Sequence, residues 1–290
     1  MRFTLLCFLF FMSIFLHAQK NSVLWEVSGN GLEKSSYLFG TIHLQDKRVF
    51  CFPDSVWIVF ENIDILALEI VMNFDDPKAI AEKIMIKDQS KSLKNILSKK
   101  EYKRVKKSVN KNLGLTMSLM MDKILPMMIA AELMSSQTNK DEKLPMDLYL
   151  QKSAEKKQKK LFSLESIDSQ FSVLDNIPID KQKEELLNVV DSMEKYKQLA
   201  DSMIVLYQQQ NIEALYKITD EGSSSFDEAL EAELLDKRNK AMVTKLKDKM
   251  KEGSVFVAVG AGHLWGDNGL IHLLQMQGYS VRPVYSTCTK

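Results

Sequence analysis

Two histidines follow glycines at the same spacing near opposite ends of the chain. The segment YLFGTIHL places His43 three residues after Gly40, and VFVAVGAGHLWG places His263 three residues after Gly260. The chain has only four histidines, so this spacing accounts for half of them. A neutral imidazole binds divalent metal ions, and it also transfers protons near neutral pH. The repeated spacing predicts that His43 and His263 serve a single site.

Two glutamates come at the ends of short apolar segments. Glu69 ends the segment ILALE, and Glu165 ends LFSLE. Two imidazoles with one or two carboxylates form a ligand set for a divalent transition metal, which activates water and polarises a carbonyl. In this scheme His43, His263 and Glu69 bind the metal. Glu69 or Glu165 then accepts the proton from the water.

Each candidate also has a structural interpretation. A histidine at the end of a strand can be a core or capping residue, and a glutamate there can be solvated or paired. Arg238 has two interpretations. In the functional one it stabilises an oxyanion or binds a substrate carboxylate; in the structural one it forms a salt bridge within the predicted helix ELLDKRNKAM. His272 falls at an amphipathic position of the last predicted helix and is interpreted as structural.

The segments around these residues predict an α/β (α+β) fold with a central mixed sheet. SVLWEVSG and SSYLFGTIHL flank the turn-forming pair Asn30-Gly31, which predicts a β-hairpin. IDILALEI is continuously apolar, as in a parallel strand that helices cover on both faces. Ligands of open α/β sheets bind beyond the carboxyl ends of the strands. We therefore expect His43 and His263 to face each other across neighbouring strands.

The middle of the chain, from about residue 76 to residue 251, predicts a large helical insertion. It is rich in lysine, glutamate, leucine and methionine and poor in glycine and proline, a helical composition. Its most apolar part, LTMSLMMDKILPMMIAAELM, is interrupted by Asp122, Lys123 and Pro126, which favours a kinked core helix over a membrane span. No linker divides residues 19–290, so we predict a single domain.

The first 18 residues predict a signal peptide. Arg2 precedes an apolar run, and the small residue Ala18 precedes a polar start. The run is shorter than the roughly 20 residues that a spanning helix needs. We therefore expect an exported protein, in the periplasm, the cell envelope or the medium, with no stable membrane span once the signal is removed.

Charge and cysteine content constrain the partners and the compartment. The chain carries 39 basic and 38 acidic residues, and loss of Arg2 would leave its charges balanced. The net charge therefore gives no reason to expect nucleic acid or an anionic membrane as a partner. After removal of the signal, Cys51 and Cys288 would remain. Export permits a disulfide between them, and two unpaired thiols are equally compatible with the sequence.

Five segments together resemble the TraB/GumN family, which includes the Tiki metalloproteases. In chain order they are LFGTIH, LALE, LESIDSQ, RNKAM and VAVGAGHLWGDNGLIHLLQMQGYSV. The resemblance covers about Leu24 to Tyr285, and the closing block is its most specific part. It implies that the two glycine-x-x-histidine motifs, with the acidic residue Glu69, support divalent-metal-dependent peptide cleavage, with manganese or cobalt as the metal.

The resemblance also matches the family's arginine-asparagine pair to Arg238-Asn239, and its glutamate-glutamine segment to Glu165 and Gln170. The resemblance and the chemistry of these residues together predict an exported metal-dependent hydrolase that acts on a peptide or protein and uses manganese, cobalt or zinc. The alternative is a non-catalytic protein that sequesters a peptide or haem in the same crevice.

Overall fold

The computed structural model describes residues 21–73, 82–222 and 235–285. The predicted signal peptide and Cys288 lie outside these ranges, as do parts of the predicted helical middle. The described chain folds around a six-stranded sheet whose strands are β1 (Leu24–Ser28), β2 (Ser36–Thr41), β3 (Ile65–Leu68), β4 (Lys160–Ser163), β5 (Val255–Gly260) and β6 (Ser280–Pro283).

The sheet is mixed, and its order is β4-β3-β5-β2-β1-β6. Strands β4, β3, β5 and β2 are mutually parallel neighbours, while β1 is antiparallel to both β2 and β6. Every residue of β3 is buried, as are the first five of the six in β5, because helices cover both faces of the sheet centre. This architecture confirms the α/β fold predicted from the sequence.

The predicted hairpin between β1 and β2 is present. The two strands pair antiparallel from Leu24 opposite Phe39 to Val27 opposite Ser36. Asn30 in the connection has a positive φ of 47°, a conformation that asparagine adopts more readily than most other residues. The turn chemistry therefore sets the strand pairing that brings β2 into the sheet.

Helices account for most of the remaining described chain. They are α1 (Asp54–Asn62), α2 (Leu93–Ile96), α3 (Lys99–Met120), α4 (Pro126–Ser135), α5 (Met146–Lys156), α6 (Ile167–Asn176), α7 (Ile179–Asp191), α8 (Met193–Gln208), α9 (Ile212–Gly222), α10 (Lys237–Lys249) and α11 (Leu270–Met276). None of the described helices is both long enough and apolar enough to cross a membrane.

The prediction of one kinked helix over residues 115–134 is wrong. Helix α3 ends at Met120, a 3-10 turn follows, and α4 begins at Pro126. Proline lacks the backbone N–H that a continuing helix needs, but it is well suited to a first helical position. The interruption that the sequence indicated therefore separates two helices instead of bending one.

The described residues build two apolar cores. The larger one lies on the sheet and includes Phe39, Phe60 and Phe256. The second lies among α2, α3, α4 and α7, around side chains such as Val105 and Leu133. The helical middle therefore buries an apolar cluster of its own.

Cys51 lies in the loop before α1 and is disulfide-bonded. Of the two alternatives that the sequence left open, this excludes an unpaired Cys51; Cys288, the partner that the sequence allows, lies outside the described residues. The pairing therefore stays a prediction.

Candidate metal centre

The carboxyl ends of four parallel strands meet at one edge of the sheet. His43 follows the end of β2, Glu69 follows β3 directly, Glu165 follows β4, and His263 follows β5. Strands β2 and β5 are neighbours whose last residues are in register, Thr41 opposite Gly260. The structure therefore brings the four candidate residues to one edge, as their positions at strand ends predicted.

The carboxylate of Glu69 lies between the two imidazoles. Its Oε1 is 3.9 Å from Nε2 of His43, and its Oε2 is 3.6 Å from Nε2 of His263. Oε1 also accepts a hydrogen bond of 2.8 Å from the backbone N–H of Gly260. Burial alone would raise the pKa of this carboxyl, but His263, His43 and Arg238 hold it well below its usual range. Glu69 is therefore ionised at neutral pH.

His263 is buried and is oriented by Asn239. Nδ2 of Asn239 donates a 2.8 Å hydrogen bond to the carbonyl of Asn268, so its Oδ1 is left as an acceptor. This Oδ1 lies 2.6 Å from Nδ1 of His263, which must therefore carry the proton. In the neutral imidazole the lone pair then resides on Nε2, the nitrogen that faces Glu69. This is the arrangement typical of a metal-binding histidine with a supporting partner.

His43 is held by a carboxylate from the helical middle. Its Nδ1 lies 2.5 Å from Oδ2 of Asp147, near the start of α5. The other oxygen of Asp147 accepts a 2.5 Å hydrogen bond from the hydroxyl of Thr41. The negative charge of Asp147 raises the pKa of His43 to about 9. His43 is therefore protonated at neutral pH in the metal-free protein, with its Nε2–H on the side of Glu69, and a metal ion would have to displace that proton to bind there.

Gly260 leaves a space among these three side chains. A Cβ at this position would lie 3.4 Å from Oε1 of Glu69, 3.6 Å from Nε2 of His43 and 3.8 Å from Cδ2 of His263. The backbone angles of Gly260, φ −50° and ψ 136°, are open to other residues. The backbone therefore does not require glycine here; a methyl group would fit in van der Waals contact but would fill the space among the three side chains.

Arg238 joins the two glutamates. Its Nε donates to both carboxylate oxygens of Glu165 at 2.9 and 3.0 Å. One terminal nitrogen reaches Oε2 of Glu165 at 2.6 Å and Oε2 of Glu69 at 2.7 Å. Arg238 thus forms ion pairs with two strand-end carboxylates. Glu165 thus contacts the imidazole cluster through Arg238.

A cleft of about 240 Å³ opens beside His43 and Glu69. Its walls combine apolar side chains with a few polar groups, the composition usual for ligand pockets. The apolar lining residues are Leu68, Ile70, Met72, Pro145 and Leu148. Gln170, which the family resemblance also matched, lines the cleft and lies 3.4 Å from Oε2 of Glu69.

Sequence reasoning missed Asp147 and Thr41. Thr41 lies inside the first motif, but a threonine at the end of a strand carries no distinct signal. Asp147 is 104 residues from His43 in the chain and follows no predicted strand. Only the packing of α5 against the sheet reveals its role.

The donor set and the space fit a divalent transition ion. In tetrahedral coordination two ligand atoms lie roughly 3.4 Å apart. The separations of 3.6 and 3.9 Å between the imidazole nitrogens and Glu69 are close to this value. Among residues 21–73, 82–222 and 235–285, however, no three histidine, cysteine, aspartate or glutamate side chains already form a metal-binding group.

Comparisons with known proteins agree with the resemblance seen in the motifs. Metalloprotease TIKI1 of Xenopus tropicalis is 25% identical over 320 residues, covering 91% of this chain and 62% of the relative. TIKI1 of Danio rerio is 23% identical, covering 90% and 63%, and TIKI1 of Homo sapiens is 22% identical, covering 94% and 65%. The chain thus spans less than two thirds of the length of these relatives. No solved structure matches it significantly.

The family assignment rests on a longer match. The sequence profile of the TraB/PrgY/gumN family matches residues 23–283, a span that contains all six strands and both glycine-x-x-histidine motifs. The chain therefore belongs to the TraB/PrgY/gumN family.

Proposed function

We propose that this protein is an exported metal-dependent hydrolase that cleaves peptide bonds. The observation that carries the proposal is the convergence of two imidazole Nε2 atoms on the Glu69 carboxylate, around the space left by Gly260. The names of the relatives, which describe metalloproteases, support the reaction class.

His43, His263 and Glu69 would hold the ion, for which we propose manganese, cobalt or zinc. When bound, such an ion supplies the Lewis acidity that activates water and polarises a carbonyl. Each ligand has a partner that fixes its direction: Asp147 for His43, Asn239 for His263, and the Gly260 N–H for Glu69. Support of this kind orients ligands and strengthens metal binding.

Glu69 borders both imidazoles and is the better placed of the two predicted bases. Its Oε2 accepts hydrogen bonds from Arg238 and Gln170, whereas its Oε1, which faces His43, accepts one from the Gly260 N–H and keeps a lone pair that could bind the ion or accept a proton from water. Glu165 is engaged by Arg238 through both of its oxygens. We therefore assign Glu165 to the positioning of Arg238. Arg238 in turn fixes Glu69 and adds positive charge where an oxyanion would develop.

The cleft favours a peptide as the substrate. It lies directly beside His43 and Glu69, so a chain bound in it would place a carbonyl near both. Its apolar wall would take an apolar side chain of that peptide, because burial of apolar area stabilises binding.

The test combines metal binding with peptide cleavage. The chain from Gln19 onward is stripped with a chelator and reloaded with manganese, cobalt or zinc, and a peptide mixture is analysed for products by mass spectrometry. We expect near-stoichiometric metal and cleavage, both lost in His43→Ala and His263→Ala. His272→Ala is the matched control, because this exposed histidine lies on α11, outside the candidate centre.

Two results would contradict the proposal. If both histidine variants still cleave peptides, the candidate metal centre does not catalyse the cleavage. Stoichiometric metal without cleavage of any peptide, or a Soret band after addition of haemin that is lost in His43→Ala, would favour the sequestering alternative.

Export is tested separately. Expression of the full chain with cell fractionation should recover a protein that begins near Gln19 outside the cytoplasm. An unprocessed chain in the cytoplasm would contradict this part of the proposal.

A further inference from the structure

Helix α3 concentrates positive charge that the rest of the chain balances. It carries seven basic residues and one acidic residue, Glu101, whereas the whole chain has 39 basic and 38 acidic residues. All seven basic side chains are exposed: Lys99, Lys100, Lys103, Arg104, Lys106, Lys107 and Lys111. The balanced net charge of the chain therefore conceals a strongly basic element.

Four of these lysines form a stripe along the helix. Lys100, Lys103, Lys107 and Lys111 recur at intervals of three and four residues, which places them on one face. The opposite face buries Val105 and other apolar residues in the second core. Within the described part of the chain none of the four lysines forms an ion pair. The stripe is thus open to an external partner.

An exposed apolar segment, here called the tip, follows the stripe in the chain. Gly114, with φ 87° and ψ 173°, interrupts the helical backbone of α3. Beyond it Leu115, Leu119 and Met120 are 66%, 69% and 46% exposed. They are three of the nine exposed large hydrophobic residues in the described ranges, within only six positions. Clustered apolar exposure of this kind marks an interaction surface.

We propose that this stripe and tip bind the surface of an anionic lipid bilayer. Lysines near a negatively charged leaflet are attracted to its headgroups, and apolar side chains insert at the boundary between headgroups and acyl chains. A nucleic acid would pair with the lysines but would leave the tip in water. The combination of the two features selects the bilayer as the partner.

The proposal does not depend on the proposed hydrolase activity. The surface packs on the second apolar core, whereas the candidate metal centre lies at the edge of the sheet. Variants of the lysine stripe or the tip should therefore leave metal binding unchanged.

Vesicle co-sedimentation tests the proposal. The chain from Gln19 onward contains every described residue and lacks the N-terminal apolar run, which would itself bind lipid. We expect it to sediment with vesicles of phosphatidylcholine and phosphatidylglycerol but not with phosphatidylcholine alone. Added salt should weaken the binding, because salt screens the attraction between lysines and headgroups.

Two variants divide the contributions of charge and apolar contact. Each lysine near an anionic surface contributes roughly fivefold to partitioning. The triple reversal Lys103→Glu, Lys107→Glu and Lys111→Glu should therefore reduce it by at least about 100-fold. The double variant Leu115→Ser and Leu119→Ser should reduce it by about tenfold or more.

Control variants carry changes of the same kind elsewhere on the surface. Ile58→Ser and Met276→Ser alter residues that are 64% and 70% exposed, and Lys195→Glu with Lys197→Glu reverses exposed charges on α8. These controls should bind vesicles as the unchanged chain does. Circular dichroism of all variants checks that the fold is retained.

Three outcomes would overturn the proposal. The first is failure of the unchanged chain to bind the anionic vesicles. The second is an equal loss of binding in the controls. The third is evidence for a different partner. Such evidence would be DNA binding that depends on the lysines but not on Leu115 and Leu119, or a lipid-free dimer that dissociates in the leucine double variant.

Discussion

At the scale of single residues, the candidate centre depends on what surrounds each ligand. His43 and His263 both have their Nδ1 engaged, by Asp147 and Asn239, and both direct Nε2 toward Glu69. A histidine that can rotate freely binds a metal more weakly, because its orientation must be fixed on binding. Asp147 and Asn239 therefore support the assignment of a metal site as much as the two histidines themselves do.

Replacement of a ligand should remove the metal and leave the fold. Glu69→Gln keeps the size of the side chain but removes its negative charge, so we expect metal affinity and cleavage to fall at least about 100-fold. Glu165→Gln should have a smaller effect, since it acts through Arg238. Isothermal titration with the metal and peptide assays measure both. Equal effects of the two variants would contradict the assignment of Glu69 as a ligand.

The partner of His43 can be tested in the same way. Asp147→Ala removes the acceptor of its Nδ1–H, and we expect metal affinity to fall by about 10–100-fold. Thr41→Val removes only the hydroxyl that supports Asp147 and should have a smaller effect. The visible spectrum of the cobalt-loaded protein would report the altered ligand orientation in Asp147→Ala. An unchanged spectrum and affinity would show that Asp147 does not position His43.

The space beside Gly260 can be tested by filling it with a methyl group. Gly260→Ala places a methyl group 3.4 Å from Oε1 of Glu69 and 3.6 Å from Nε2 of His43. We expect metal affinity to fall more than about tenfold while the free energy of unfolding changes by less than about 1 kcal/mol, because the backbone angles suit alanine. Gly262→Ala is the matched control, since a Cβ there meets nothing within 4 Å. Metal binding that survives in Gly260→Ala would place the ion elsewhere.

At the scale of elements, the two glycines at the same spacing before histidines have different physical roles. A Cβ at Gly40 would lie 3.0 Å from Cδ1 of Leu264 and 3.2 Å from both Cα and Cβ of Ala261. Ala261 belongs to the 3-10 turn Ala261–His263 that follows β5. Gly40 thus lets the turn that carries one histidine pack on the strand that leads to the other.

We therefore expect Gly40→Ala to act mainly on stability. The methyl group would press on backbone and side chain together, and overpacking of this kind costs about 1–3 kcal/mol of unfolding free energy. Urea denaturation of the metal-free protein measures the loss. A variant that is as stable as the unchanged chain but binds no metal would give Gly40 the role proposed for Gly260.

At the scale of the whole molecule, the helical middle contributes to the site as well as to a second core. Helix α5 supplies Asp147 to His43, and Tyr207 of α8 donates a 2.8 Å hydrogen bond to the carbonyl of Gly40. These contacts join distant parts of the chain, since Gly40 and Tyr207 are 167 residues apart in sequence. The insertion therefore helps to position the first histidine motif.

The disulfide of Cys51 should stabilise the whole chain. With Cys288 as its partner it would close a loop of more than 200 residues, which the entropic model equates with about 5 kcal/mol. Reduction should lower the urea midpoint accordingly. Peptide mapping without reduction should show the two cysteines in one linked fragment. A linked fragment that contains Cys7 instead would also mean that the first 18 residues are retained.

The strands, their apolar character and the residues at their ends could be predicted from local patterns in the chain. Continuous apolar runs such as ILAL form buried parallel strands because only apolar side chains can face helices on both sides. Parallel strands place their carboxyl ends together, so the convergence of His43, Glu69 and His263 followed from local pattern and topology. The break near Pro126 was also foreseeable, although its outcome was two helices.

The partners of those residues could not be predicted in this way, because they come from distant parts of the chain. Asp147 meets His43 across 104 positions of sequence, and Arg238 joins Glu69 to Glu165 across 169 and 73 positions. Such pairs depend on how helices pack against the sheet, which no local periodicity encodes. The different roles of Gly40 and Gly260 were hidden for the same reason. Identical spacing fixes where a glycine lies along the chain, but its neighbours in space determine what a missing side chain permits.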